Sequence, residues 1–477
     1  MDSAKLAAIA AIDTVAGQIC HLSDAIWEVP ELGFHETESA ALQQQLLEKL
    51  GFTLEVGIGN IPTAFSASYG SGKPVIGILG EFDALAGLSQ KAGVAVQEPV
   101  VAGGNGHGCG HNLLGCGSIA GAYAVKEYLR TTGKSGTVIY YGCPAEEGGS
   151  AKAFMARDGI FDGLDAAFGW HPGTHNQVGC DSSTANYVIR YRFKGRSAHA
   201  AGAPHMGRSA LDAVELMNVG IQFLREHVPS SVRIHYAITD AGGISPNVVQ
   251  ADAEVLYMIR APKISTVQAV CKRVDKVAQG AAMMTETEVD IRLEKGCSDL
   301  VVHQQLNDVL QANMEAIPLY QLTEEELAFA AQMREATGST ADPAAWIPGR
   351  AGADAAAKLE GMPKVPVCQF VVPRIRGSIV VAASGDIGDV SYVCPTAEIY
   401  TATWAAGTAA HTWQATAQGK SGYAKKAMLF AGKVLAGAAI DLMNDPEKLE
   451  LAWQEHRQLT GNKPFESPIP KDLPLPL

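Results

Sequence analysis

Positive charge is scarce in this chain. Its 477 residues carry 37 Lys and Arg against 50 Asp and Glu, a formal charge of −13. No Lys/Arg run breaks that deficit, so neither nucleic acid nor an anionic membrane surface is an expected partner. A disulfide framework is also missing. The nine cysteines are an odd number with no even spacing, which fits reduced thiols and a cytoplasmic location. No unbroken apolar run reaches about eighteen residues, so no membrane span is expected. An export signal is not expected either. Leu6, Ile9, Ile12, Val15, Ile19, Leu22 and Ile26 recur at helical spacing, and Asp13 interrupts them, so the start reads as an amphipathic helix. A phosphate loop is absent. Gly70-Ser-Gly-Lys73 has Pro74 where a magnesium-binding hydroxyl belongs, and the stretch reads as a hairpin turn.

What is present describes a globular chain of two or three domains, 47% hydrophobic and 18% charged. The first part alternates helices and strands. Helices are expected over about Ser3 to Trp27, Glu36 to Leu50 and Asn112 to Thr131. Strands are expected at Pro74 to Asp83, Gly136 to Tyr141 and Ala166 to Trp170. This alternation argues for an α/β sheet covered on both faces. The pattern changes near Thr184. Tyr187, Ile189, Tyr191 and Phe193 alternate as a half-buried strand, and a strand–helix–strand–strand–helix–strand order follows to Cys297. That order predicts an inserted α+β domain with its helices on one face. The expected division is 1–185 and 298–477 for the main domain and 186–297 for the insert. The Pro-rich tail from Pro464 is expected to wrap the surface.

The chemistry-bearing residues fall in Gly- or Pro-bearing loops, several of them at strand ends. Cys109 and His111 lie in Gly106-His-Gly-Cys-Gly-His-Asn112. Glu146 and Glu147 lie in Cys143-Pro-Ala-Glu-Glu-Gly-Gly149. His171 lies in Gly169-Trp-His-Pro172, and His411 in Gly407-Thr-Ala-Ala-His-Thr-Trp413. Loops beyond the carboxyl ends of strands can converge on one crevice. Thiolate, imidazole and carboxylate are the usual ligands of zinc and related ions. Cys109, His111, Glu147, His171 and His411 exceed the needs of one tetrahedral ion and suit a bridged pair. Glu146 is then the candidate general base, and Asp83, at a strand end, the acid that orients an imidazole. Each element also has a plain reading: a hydrogen-bonded loop histidine, a solvated Glu-Glu pair, or a turn aspartate. Cys109 as a nucleophile lacks a surrounding acyl-transfer signature. The weight rests on co-occurrence.

The chain resembles the aminoacylase, carboxypeptidase and auxin-conjugate amidohydrolase family of two-metal hydrolases. The likeness spans nearly its whole length. It is carried by Trp27-Glu-Val-Pro-Glu-Leu-Gly-Phe34, Leu79-Gly-Glu-Phe-Asp-Ala-Leu-Ala-Gly-Leu-Ser89, Asn105-Gly-His-Gly-Cys-Gly-His-Asn-Leu-Leu114, Phe193-Lys-Gly-Arg-Ser-Ala-His-Ala200, Gly207-Arg-Ser-Ala-Leu-Asp-Ala-Val214 and Gly243-Ile-Ser-Pro-Asn-Val-Val-Gln250.

The resemblance implies an α/β, metallopeptidase-like catalytic domain with a central mixed sheet, interrupted by a ferredoxin-like lid and dimerisation domain. It implies the same five metal ligands, with Glu146 as base. It further implies that His199 stabilises the oxyanion in an active site, in similar enzymes that of the partner subunit, and that Asn247 and Arg260 hold the substrate carboxylate. The implied substrate is an N-acyl amino acid, an N-aroyl-glutamate first, and a broader aminoacylase or dipeptidase is the alternative. The implied assembly is a homodimer or a hetero-oligomer with a paralogous subunit. Glu81-Phe-Asp83 stands where the carboxypeptidase branch supplies a His ligand, which points to the branch that uses Cys109. That branch favours manganese, whereas a thiolate by itself suits zinc. Residues 324–376 match the family least and are candidate lining of the acyl pocket.

Overall fold

A computed structural model of the chain describes residues 2–338, 366–377 and 379–476. Most of the candidate acyl-pocket stretch, 339–365, lies outside the described residues. The strands of the two larger sheets are β1 (Thr53–Val56), β2 (Phe65–Ser71), β3 (Val75–Glu81), β4 (Gly136–Cys143), β5 (Ala166–Gly173), β6 (Gln177–Val178), β7 (Ala185–Lys194), β8 (Arg233–Asp240), β9 (Asp252–Ala261), β10 (Glu288–Cys297) and β11 (Thr396–Ala402). The helices used below are α1 (Ser3–Glu28), α2 (Thr37–Lys49), α3 (His111–Thr132), α4 (Ala151–Arg157), α5 (Ala210–Leu224), α6 (Ile264–Thr285) and α7 (Gly422–Asn444). The chain divides into two compact units. The first is Met1–Asp181, Val301–Ile379 and Val390–Phe465. The second is Ser182–Leu300, Val380–Asp389 and Glu466–Leu477. The second unit thus takes in two short segments that the sequence division left in the main domain.

The first unit is built on a mixed sheet in the order β1-β2-β4-β3-β5-β11-β6. The central run β4-β3-β5-β11 is parallel, and β1, β2 and β6 are antiparallel at the two edges. Strand β3, Val-Ile-Gly-Ile-Leu-Gly-Glu, is buried from Ile76 to its end, as a strand covered on both faces must be. In the β3–β4 register Glu81 lies opposite Cys143. The two strands therefore stop level and release their following loops at the same edge. The Gly70 to Lys73 stretch is not a hairpin turn as expected, because β4 lies between β2 and β3 and pairs with both.

Helix α1 buries Ile9, Ile12, Val15, Ile19, Leu22 and Ile26, the stripe read from the sequence, and Asp2 caps it by accepting from the Lys5 N–H. Helices α1 and α7 are both long and apolar enough to cross a membrane by length and composition, which a search for unbroken apolar runs overlooks. Here both pack on α3 in the core of this unit. Buried Lys5 at the start of α1 pairs with Asp441 on α7 at 2.5 Å.

The second unit follows the strand–helix–strand–strand–helix–strand order, β7-α5-β8-β9-α6-β10. Its antiparallel sheet runs β10-β7-β9-β8. One face of the sheet carries Tyr187, Ile189, Tyr191, Phe193, Val255, Tyr257 and Ile259, all buried against Val214, Met217 and Ile221 of α5 and Val267, Val270 and Val274 of α6. Strand β9 alternates buried and half-buried residues throughout, the period-2 signature of a sheet covered on one face. The Pro-rich tail does more than lie on the surface: Ile469 is buried, and the Pro468 carbonyl accepts from the Tyr187 hydroxyl.

Helices α3 and α7 meet backbone to backbone. A Cβ at Gly432 would stand 2.7 Å from the Gly117 carbonyl oxygen and 2.8 Å from the Ala120 Cβ. Gly432→Val is expected to force the helices apart, cost about 1–3 kcal/mol, and lower Tm by several degrees in a thermal melt. An unchanged Tm would mean that the helix pair has slack.

Candidate metal centre

Several loops leave the carboxyl edge of the first unit's parallel strands, where ligands collect in open α/β sheets. Glu81 ends β3 and Asp83 follows two residues on. Glu146 and Glu147 follow β4. His171 lies within β5, and Cys109 and His111 straddle the start of α3. His411 enters from a loop preceding the short helix Trp413–Gln418, with its N–H donating to the Gly108 carbonyl at 2.9 Å. The backbone is bent sharply at these points. Gly110 has φ 78°, and a Cβ there would stand 2.9 Å from the Pro172 ring. Only glycine lets Cys109 and His111 turn inward on either side of it. Ala145 and His411 also adopt positive φ, 52° and 61°, a left-handed conformation that L side chains adopt at a cost and that clusters at functional sites.

The five residues read as ligands converge. Cys109, His111 and His171 offer donor atoms within 4.8 Å of one another, and so do Cys109, Glu147 and His411. Cys109 belongs to both triads, as a bridging ligand would. Its Sγ lies 3.5 Å from His171 Nε2. His411 Nε2 lies 3.3 Å from Glu147 Oε2, and His111 Nε2 lies 4.0 Å from Glu147 Oε1. Asp83, fully buried, holds the segments of two candidate ligands at once. Its Oδ1 is 2.8 Å from His111 Nδ1, and its Oδ2 accepts the Glu147 N–H at 2.9 Å. With a proton on Nδ1, His111 Nε2 is left to ligate.

The donor set fits divalent cations on a test independent of spacing. His111 Nε2, Glu147 Oε1 and Glu81 Oε2 are buried and have no hydrogen-bond partner. Buried polar atoms are rarely left in that state without an ion or water to satisfy them. Burial pushes the Glu147 carboxyl up, but the His411 hydrogen bond and the His111 and His411 charges outweigh it and hold it at about 2. Burial, with the His111 charge adding, lowers His171 and so favours the neutral imidazole that binds metal. Burial pushes the Cys109 thiol up. A cation at the sulfur would reverse that, since a coordinating thiol is deprotonated.

The remaining candidates lie in the second unit. His199 Nδ1 accepts the N–H groups of Ala201 and Gly202 at 3.2 and 3.1 Å. That places the proton of the neutral ring on Nε2, where it can be donated. The Ala200 N–H donates to the Asn247 carbonyl at 2.9 Å, so the segments of His199 and Asn247 run side by side. Arg260, near the end of β9, donates from Nη1 to Ser384 Oγ at 2.8 Å.

Sequence reasoning missed three contributors. Glu36 precedes α2 and reads as a helix cap, yet its buried carboxylate turns inward: Oε1 accepts the Ala145 N–H at 2.7 Å and Oε2 the Thr63 hydroxyl at 3.2 Å. It steadies the loop that carries Glu146 and Glu147. Lys152 of α4 is fully buried and pairs with Glu81 at 2.7 Å. Glu81 itself, noted only as a replacement, lies 3.2 Å from His111 Nε2. For Glu81 and Lys152 the one available signal was a charged residue in an otherwise apolar stretch; Glu36, within His35-Glu-Thr-Glu-Ser39, carried none.

Residues 77–406 match the sequence model of peptidase family M20/M25/M40. The chain belongs to this family. It is 46% identical over 473 residues to one of the subunits of p-aminobenzoyl-glutamate hydrolase from Escherichia coli K12, covering 98% of each chain. It is 30% identical over 296 residues to the mouse Xaa-Arg dipeptidase, 59% of this chain and 64% of that one. It is 28% identical over 192 residues to a different subunit of the same E. coli hydrolase, 39% and 43% of the two chains. Among solved structures, a dinuclear metal-binding M20 peptidase of Bacillus subtilis shares the fold with TM-score 0.56 at 17% identity, covering 91% of this chain and 99% of that one. An aminobenzoyl-glutamate utilization protein of Klebsiella pneumoniae does so with TM-score 0.55 at 17% identity, covering 87% and 96%. The α/β fold expected from the sequence is the fold of this M20 chain.

Glu36 makes this site testable by pH. Burial, with the Asp83 charge adding, pushes its carboxyl up to about 8 from its ordinary 4.5. An acid whose pKa is higher folded than unfolded erodes stability as pH rises through that interval. Glu36→Gln keeps an acceptor for Ala145, so Tm is expected near wild type at about pH 5 and several degrees above it at about pH 9. Equal melting at the higher pH would show that Glu36 ionises there without penalty.

Proposed function

We propose that this M20 hydrolase uses two divalent cations to split the amide bond of an N-acyl acidic amino acid, with p-aminobenzoyl-glutamate as the leading substrate. The observation that carries the reading is the pair of donor triads sharing Cys109, with buried His111 and Glu147 atoms left unpartnered. The 46% identity to a p-aminobenzoyl-glutamate hydrolase subunit supports the substrate class. Bound cations would supply an activated water and polarise the amide carbonyl. Cys109, His111, Glu147, His171 and His411 would hold them. Manganese is the favoured metal and zinc the alternative, since carboxylate and imidazole ligands accompany the single thiolate.

Glu146 takes the proton from the attacking water and returns it to the departing nitrogen. Asp83 keeps His111 in the tautomer that ligates. His199 donates from Nε2 to the oxyanion as it develops, in an active site completed by the partner subunit. Asn247 and Arg260 hold the substrate carboxylate; the planar fork of Arg can bind both oxygens.

A second copy of this chain or a paralogous subunit is the proposed partner. The edge strand β8 exposes Tyr236 and Ile238, and α5 exposes Val219 and Phe223. Unpaired edges with apolar side chains invite pairing. The similarity to two different subunits of the E. coli hydrolase keeps the paralogue reading open. A broader aminoacylase or dipeptidase activity is the alternative within enzymes, and the Xaa-Arg dipeptidase relative keeps it open. The proposed location is the cytoplasm, consistent with nine cysteines, eight of them buried, that show no evenly spaced disulfide framework.

Purified protein with manganese is expected to hydrolyse p-aminobenzoyl-glutamate faster than acetyl-methionine or dipeptides. Glu146→Gln should retain metal and lose about 10²–10⁴-fold in kcat, whereas Glu147→Ala should lose metal. Near-normal turnover in Glu146→Gln would remove it as the base. No turnover until a paralogous subunit is added would make this chain a dependent partner.

The His199 role separates in steady-state kinetics. His199→Ala is expected to lower kcat at least about tenfold with little change in KM, the pattern of an interaction made only in the transition state. A rise in KM alone would reduce His199 to a binding residue.

A further inference from the structure

The metal centre holds one carboxylate more than the five-ligand set requires. Glu81 stands at the end of β3, nine-tenths buried. Its Oε1 lies 2.7 Å from the Lys152 ammonium, and that lysine is fully buried. Its Oε2 has no hydrogen-bond partner and lies 3.2 Å from His111 Nε2, which has none either. Two ligands each about 2.1 Å from one cation, at tetrahedral or octahedral angles, stand roughly 3.0–3.4 Å apart. The Glu81–His111 separation falls in that interval, as does the 3.3 Å between His411 and Glu147. Glu81, His111 and Glu146 also offer donor atoms that all lie within 4.8 Å of one another.

We infer that Glu81 is a sixth metal ligand, its Oε2 binding the cation held by His111 while Lys152 anchors Oε1. The inference rests on the two-cation reading above and adds to it a carboxylate that the sequence pattern did not assign. Lys152 supplies what a buried ligating carboxylate needs: a hydrogen bond that stops it rotating and a charge that offsets its burial. The consequence is chemical. An added oxygen donor hardens the His111-side position, otherwise Cys109, His111 and His171, and shifts its preference from zinc toward manganese. The competing role is simpler, with Glu81 as an acceptor for a protonated His111 and no contact with metal. The two roles differ in metal affinity.

The test uses full-length protein stripped with chelator, titrated with manganese, and analysed by calorimetry and by metal content. Wild type is expected to take up two ions per chain. Glu81→Gln, which keeps the side-chain volume and an acceptor for Lys152, is expected to weaken one of the two sites by at least about tenfold. The other site should stay near wild type, and the weakened one should gain relative preference for zinc. Glu81→Asp retains the charge but withdraws it by one methylene, and is expected to weaken the same site. Melts of the metal-free variants check folding, and if Glu81→Gln fails to fold, Glu81→Asp decides. Two wild-type affinities in a folded variant would overturn the role of Glu81 and leave the two-cation reading intact. A wild type that binds fewer than two ions would overturn the two-cation reading and the Glu81 assignment with it.

Discussion

A single buried carboxylate ties the centre together. Asp83 gives one oxygen to His111 Nδ1 and the other to the Glu147 backbone N–H. It therefore links the end of β3 to the start of α3 and to the loop after β4. Burying an ionised carboxylate is costly unless its lone pairs are filled. Here the partners that fill them are the segments that bear the candidate ligands. The price of burying Asp83 is thus met by the same contacts that aim a ring nitrogen and a carboxylate at one point. Glu36 repeats the arrangement one layer out by holding the Ala145 N–H.

These contacts need a sheet that delivers its loops at one level. The β3–β4 register sets Glu81 beside Cys143, and β5 carries His171 alongside Tyr400 of β11. Parallel neighbours end on the same edge, so residues far apart in the chain arrive together. The small residues behind that edge matter for the same reason. Helix α3 can rest close to α7 because Gly121 and Gly432 have no side chains to hold the two apart, while Gly117 leaves room for the Trp170 ring of β5, and His111 stands at the N-terminus of that helix. Rigid packing behind the centre and unpartnered polar atoms within it are two sides of one design. Three of the buried atoms without a hydrogen-bond partner, on Glu81, His111 and Glu147, gather at this edge, where a cation could satisfy them together.

Much of the fold was legible because it rests on local periodicity. The stripe on α1 and the alternation of Tyr187, Ile189, Tyr191 and Phe193 need only the geometry of one helix or one strand. Other readings failed where the answer depended on a distant partner. Gly70 to Lys73 looks like a hairpin turn, yet β4 inserts between the strands that flank it. The apolar character of α7 reads the same whether a helix crosses a bilayer or fills a core, and its contacts with α1 and α3 are invisible in one dimension.

The same division holds at the centre. Cys109, His111, Glu147, His171 and His411 could be singled out as candidate ligands from residue type and loop position, because ligand chemistry restricts the choice to a few side chains and strand ends restrict the place. Glu36, Glu81 and Lys152 could not. An isolated Glu or Lys in a sequence is most often a solvated surface group, and an apolar neighbourhood, as around Glu81 and Lys152, does not say which partner it turns to. Which of them turn inward is decided by sheet register and helix packing, since only these set the distance between side chains hundreds of atoms apart along the chain. The sequence alone determined what chemistry was available. The tertiary structure decided which charged groups lost their water and therefore had to find one another.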